Sequence, residues 1–235
     1  MSEIFLKLRI KEMLEGKMKR YLIFGLVEVF LVVAGILIAL SINNWNIKNS
    51  QRRDELNIYK NIHSRIKDDR KDLEGLIDYN KSYRTQFLFA DQVISANDRS
   101  KIDTLIKIIP NLSQYSDFNK SSNVYQNLLN SGELKILKNT NVISMLQNLE
   151  ETYIYMNRME NIHLQFVLEI LVPELMNNIN FSSGEAERPD VLYSVFFQNF
   201  FIVSMDVMEE KNDIYQRALR EIDAISLLIE EELKQ

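Results

Sequence analysis

A single carboxylate, Glu28, stands inside the stretch YLIFGLVEVFLVVAGILIALSINNWN, residues 21–46. An acid near the centre of a lipid-embedded helix costs roughly 2.5–3.5 kcal/mol on insertion scales, so its retention needs a reason. At 100° per residue, Gly25, Glu28, Val32, Gly35, Ala39 and Ile42 fall within an arc of about 100°. Their spacing alternates three and four, the rhythm of a left-handed helix pair. Gly35-x-x-x-Ala39 lets two backbones approach closely in lipid, while the other faces carry Leu, Ile, Val and Phe. Glu28 therefore lies on the stripe suited to another helix, about 9 Å inside the N-terminal edge of the run. Three chemistries stay open for it. It hydrogen-bonds across a homo-oligomer, it handles ions or protons in a membrane complex, or it reaches an interface or headgroup.

The second candidate is Glu160-Asn-Ile-His163, the Glu-x-x-His spacing that places two ligands on one helical face in di-iron bundles. Such a centre needs a second Glu-x-x-His and two further glutamates. The other histidine, His63, has Lys60 three residues before it, so His163 reads as a core or interfacial residue. Without cysteine there is no thiolate site or disulfide framework. No GxSxG, Walker or GxGxxG element offers a nucleophile or phosphate cradle. The chain thus reads as non-enzymatic, with no cofactor, metal or small-molecule substrate evident. Lys135 and Lys138 in SGELKILKN could face an anionic partner, but a capped helix end accounts for that segment. Three sequons, at Asn111, Asn119 and Asn180, are expected by chance in so Asn-rich a chain.

These residues need elements to hold them. Residues 1–20 carry six basic and three acidic side chains, a net +3; with Glu28 counted, about −7 falls from Trp45 onward to reach the overall −5. An acidic main body argues against a nucleic-acid groove. Leu22 to Ile42 is 21 residues, about 31 Å as a helix, matching a hydrocarbon core of roughly 30 Å. Tyr21 and Trp45 flank it as interface anchors. Basic residues crowd the N-terminal side, so the positive-inside rule puts 1–20 in the cytoplasm and the remainder outside. The run is too long for a signal-peptide h-region and lacks a good cleavage site. The expected organisation is a basic amphipathic segment over 1–20, a transmembrane helix over 21–43 and an extracytoplasmic domain over 44–235.

Beyond Asn46 the periodicity is helical, and six glycines with three prolines disfavour a turn-rich β architecture. One stripe runs Ile58, Ile62, Ile66, Leu73, Leu76, Tyr83, Phe87, Ala90, Ile94, interrupted by Asp69 and Asn80. SANDRS (95–100) breaks it, a short helix follows near 102–109, and 110–122 reads as loop. Ser122 should cap the next helix and Gly132 stop it. A helix over 142–179 presents Val142, Leu146, Leu149, Tyr153, Met156, His163, Phe166 and Ile170, with Pro173 kinking it. After the loop FSSGEAERP, a last helix over about 190–233 presents Phe196, Phe200, Val203, Val207, Ile214, Ala218, Ile222, Ile225 and Ile229. The aromatics of VFFQNFF (195–201) are expected mainly in the core. The fold class is all-α: one transmembrane helix, then an elongated antiparallel bundle of three to four long helices.

GLVEVFLVVAGILIALSINNWN resembles the signature of an uncharacterised family of bacterial single-span membrane proteins. Val27 and Ile47 depart from it, since that family often has Gly before the glutamate and an acid after the final Asn. LLNSGELKILKNTNVISML (128–146) and the C-terminal YQRALREIDAISLLIEEEL are also similar to that family's landmarks. The resemblance implies a single-pass inner-membrane protein with a periplasmic domain and lends no activity. The leading expectation is a membrane-anchored interaction module, partnered by the bilayer and by a second copy or another membrane protein. A single-span subunit of an ion-coupled complex, using Glu28, is the alternative. A periplasmic ligand sensor acting through a partner is the third reading.

Overall fold

The computed structural model describes residues 2–118 and 124–234, and these are all-α apart from one two-residue β pairing. The chain divides into two compact units, Met1–Asp54 and Glu55–Gln235. Helix α1, Ser2–Ser95, contributes to both.

In the first unit α1 is long and apolar enough to cross a membrane. Its apolar side chains are open within the chain; Phe30 is 70% exposed and Leu26 68%. Ser41 Oγ donates to the Leu37 carbonyl at 2.7 Å, so this hydroxyl is satisfied inside its own helix. Except for Lys7 and Arg20, the side chains of residues 1–21 lie outside the described ones, including Tyr21 and the amphipathic pattern expected over 1–20.

The second unit adds α2 (Ile102–Ile108), α3 (Val124–Ser131), α4 (Thr140–Phe166), α5 (Val172–Asn178) and α6 (Val195–Lys234). Local chemistry sets their ends. Helix α1 stops at Ser95, and Asn97 then turns the chain at φ +49°, a value Asn tolerates better than most residues. Gly132 follows α3 at φ +77°, where any Cβ is strained, and is the expected stop. Asn139 caps α4, its Oδ1 accepting from the amides of Asn141 (3.0 Å) and Val142 (3.3 Å). Ser122 lies outside the described residues.

Two apolar cores form, and their order along each helix gives the topology. The first gathers Ile58, Ile62, Ile66 and Leu73 of α1, Val142, Leu146 and Met156 of α4, and Ile214 to Ile229 of α6, with Phe118 and α3. The second gathers Phe87, Ala90 and Ile94 of α1, α2, Val167, Leu171, Leu175 and Leu192, and Phe197, Phe201 and Met208 of α6. Helices α1 and α4 both pass from the first core to the second, so they run in the same direction. Only α6 opposes them, which corrects the expected all-antiparallel order. Two parallel helices need a return leg. Here α2 and a 3₁₀ turn, Ile109–Ser113, sit in the second core, and residues 114–118, which have no regular secondary structure, carry the chain back.

Just before Pro173, where the sequence predicts a kink, the helical hydrogen bonding changes. A π-helical turn, Val167–Leu171, intervenes, and α5 begins at Val172 with Pro173 in its first turn. Proline there has no N–H to bond and would crowd the preceding turn; the wider π turn relieves both problems. The turn also shifts the buried face by one residue. Val167 and Leu171 are buried, whereas Ile170, expected inside, is 45% exposed. At the start of α6, Phe200 is buried as expected, and the buried face is wider than the expected stripe. Phe197, Phe201 and Met208 are buried, while Val203, expected inside, is 39% exposed. Of FSSGEAERP, Glu185 and Ala186 pair antiparallel with Asn180 and Ile179, closing a turn that uses Gly184 at φ +72°.

Candidate functional site

Between the two cores the second unit carries a layer of buried polar groups, centred on the irregular strap 114–118. An irregular strand inside a helical bundle brings backbone N–H and C=O groups that no helix satisfies, and buried groups of this kind must be bonded. The layer supplies the partners. Lys211 Nζ donates to the Ser116 carbonyl at 2.8 Å. The Phe118 amide donates to Glu160 Oε1 at 2.9 Å. Tyr215 OH lies 2.6 Å from Glu160 Oε1 and 3.0 Å from Ser116 Oγ. Tyr79 OH donates to Gln114 Oε1 at 3.0 Å, and the Tyr115 ring meets His163 edge-on. Four elements thus converge: α1, the strap, α4 and α6.

Glu160 and His163 share a face of α4, as their spacing predicts, but an ammonium meets them instead of further carboxylates. Lys211 Nζ lies 3.2 Å from His163 Nδ1. Among the described residues no three His, Asp or Glu side chains group as a metal site. Lys211 is 0% exposed, His163 1% and Glu160 3%. Burial, and then the Lys211 charge, push His163 down to about 3. Burial likewise lowers Lys211 to about 8, against the opposing pull of Glu160 and Asp117. Burial raises Glu160, opposed by its bonds from Tyr215 and Phe118 and by Lys211. Beside this cluster, Asn80 Nδ2 donates to Asn212 Oδ1 at 2.8 Å, joining α1 to α6. A polar pair at a core position fixes register in helical assemblies.

These shifts set an acid limit on stability. His163 has a folded value below its unfolded one, so its contribution is present above about 6.5 and is lost as pH falls toward 3. Glu160 is shifted upward, so the folded state favours its proton from about 4.5 up, and this part of stability rises on acidification. The two oppose each other between pH 6.5 and 4.5; below 4.5 only the His163 loss of this pair continues, joined below about 3.8 by Asp98, whose bond from Ser100 holds it below its ordinary value. The free energy of unfolding should therefore fall most steeply between pH 4.5 and 3, by about 2 kcal/mol. Denaturant titrations of the wild-type chain and of His163→Phe check this, since the variant should lose that slope.

The other sequence candidates disperse. Gly25, Glu28, Val32, Gly35 and Ala39 are all exposed within the chain, and a Cβ on Gly25 or Gly35 would meet nothing within 4 Å. Trp45 is 66% exposed. His63 Nε2 lies 3.7 Å from Glu230 Oε1, away from the layer. The Lys138 amide donates to Glu55 Oε1 at 2.8 Å and its ammonium lies 3.9 Å from Glu55 Oε2, so SGELKILKN is tied to α1; Lys135 is exposed. Asn111 donates to Gln86, Asn180 caps a turn, and Asn119 lies outside the described residues. Asp69, which interrupts the first stripe, accepts from Tyr153 OH at 3.0 Å inside the first core. A groove of about 290 Å³ lies beside Ile58, Ile62, Val124 and Leu128, but these are already covered by the chain's own packing.

Sequence reasoning missed Lys211, Tyr215 and Ser116. The available signal was the seven-residue gap between Val207 and Ile214 in the α6 stripe, with a lysine at the core position between them.

The profile of a family of unknown function, DUF6090, matches residues 28–167. The chain belongs to this family. The DUF6090 match opens at Glu28 and ends at the first residue of the π turn, so it takes in the small-residue stripe from Glu28 onward but not Gly25, and also the strap, Glu160 and His163. Lys211 and Tyr215 lie beyond it. No curated protein and no solved structure matches the chain.

Proposed function

We propose that this DUF6090 protein is a membrane-anchored, non-enzymatic interaction module. In this reading 22–42 spans a bacterial inner membrane once, 1–20 faces the cytoplasm, and the helical domain stands in the periplasm. The protein oligomerises through Gly25, Glu28, Val32, Gly35 and Ala39, or docks that stripe on another membrane protein.

One observation carries the reading. The apolar helix offers a small-residue stripe with a single acid, and the chain itself leaves that stripe uncovered. Close backbone approach and a carboxyl hydrogen bond are the two contacts that associate helices in lipid. The domain supports it too, because its titratable cluster is enclosed and committed to holding the strap.

Association in lipid vesicles, followed by energy transfer between labelled copies, tests the proposal. Gly35→Leu should weaken association about tenfold, roughly 1–2 kcal/mol, by separating the backbones. Glu28→Gln keeps a hydrogen-bonding head and should leave association near wild type. Unchanged transfer in Gly35→Leu would remove the stripe as the interface. A Glu28→Gln chain that still associates but loses its cellular phenotype would replace the scaffold reading with the ion-coupled one.

A further inference from the structure

We propose that the polar layer holds one buried water, which accepts a hydrogen bond from His163 Nε2–H and donates one to Glu160 Oε2. An ammonium has donors only, and Lys211 Nζ stands 3.2 Å from His163 Nδ1. His163 Nδ1 must then accept, which puts the ring proton of the neutral imidazole on Nε2. That Nε2 is buried with no protein partner, and so is Glu160 Oε2. The two side chains stand three residues apart on α4, on one face of the helix.

The chemistry of the pair selects the guest. A cation would meet an N–H donor on one side, with the Lys211 ammonium already in the cluster. An anion would meet the Glu160 carboxylate, with Asp117 also acting on Glu160. A neutral molecule that both donates and accepts satisfies the two atoms together, and it serves Glu160 in either protonation state. Water is the smallest such molecule, and buried waters occur where polar groups lack protein partners. The same logic separates this Glu-x-x-His pair from a metal centre, because its histidine turns a hydrogen toward the guest.

The chain has only two histidines, so one variant is enough to assign both rings. Full-length protein with ¹⁵N-labelled histidine in detergent micelles should give one ring with protonated Nε2 and bare Nδ1. Loss of that signal in His163→Gln, with the His63 signal retained, assigns it to His163. Its Nε2–H should also show a direct cross-peak to a long-lived water between pH 5 and 8. An Nδ1–H tautomer, a charged His163 ring at pH 6, or an Nε2–H without a water cross-peak would each overturn the proposal.

Discussion

Lys211→Met is expected to destabilise the helical domain by about 3–5 kcal/mol, the range for breaking a buried charge pair from one side. Methionine keeps the length and much of the volume of the lysine stem, so packing is close to preserved. What disappears is the ammonium. The Ser116 carbonyl and His163 Nδ1 lose their donor, and Glu160 loses the cation that offsets its burial. Glu160 retains Tyr215 OH and the Phe118 amide, so the strap loosens first at Ser116. Adding Glu160→Gln removes the stranded charge, so the double variant should lose well under the sum of the two single losses. Unfolding of the full chain followed by circular dichroism reads both numbers. A loss under about 1 kcal/mol for Lys211→Met would mean that water reaches the ammonium and the layer does not hold the strap.

Phe201→Ala should cost a similar amount, about 3–5 kcal/mol, through a cavity in the second core. Phe201 is 0% exposed and its ring lies 5.4 Å from that of Phe87, so the hole opens between α6 and α1. The location of the loss is the sharper prediction. The two cores are separate apolar clusters, with the polar layer between them. Local opening should follow that division. Amides of α2, α5 and the start of α6 should exchange with solvent much faster in the variant, while those around Ile62, Leu146 and Ile222 keep most of their protection. Hydrogen exchange read by mass spectrometry resolves these segments. An equal loss of protection across both cores would show that the layer transmits packing as firmly as an apolar core does.

Much of this molecule was legible in one dimension. Helical periodicity, the scarcity of glycine and proline, and the 21-residue apolar run determined the all-α class and the membrane-length segment, because period and length are local properties. The break at SANDRS and the stop at Gly132 followed from residues that tolerate positive φ. Glu160 and His163 were visible as one helical face because three residues bring a helix back to nearly the same side.

Tertiary structure alone decided what that face meets. Lys211 is 48 positions from His163 and 95 from Ser116, and no local pattern brings them together. Their meeting depends on the parallel course of α1 and α4, which forces a return leg through the bundle and leaves its backbone to be satisfied by side chains. The π turn likewise moved the buried face from Ile170 to Leu171, since one extra residue in a turn rephases everything after it. The sequence determined which residues are apolar, which are charged and how each helix turns; the packing of three long helices around an irregular strap decided which of those charges lie inside.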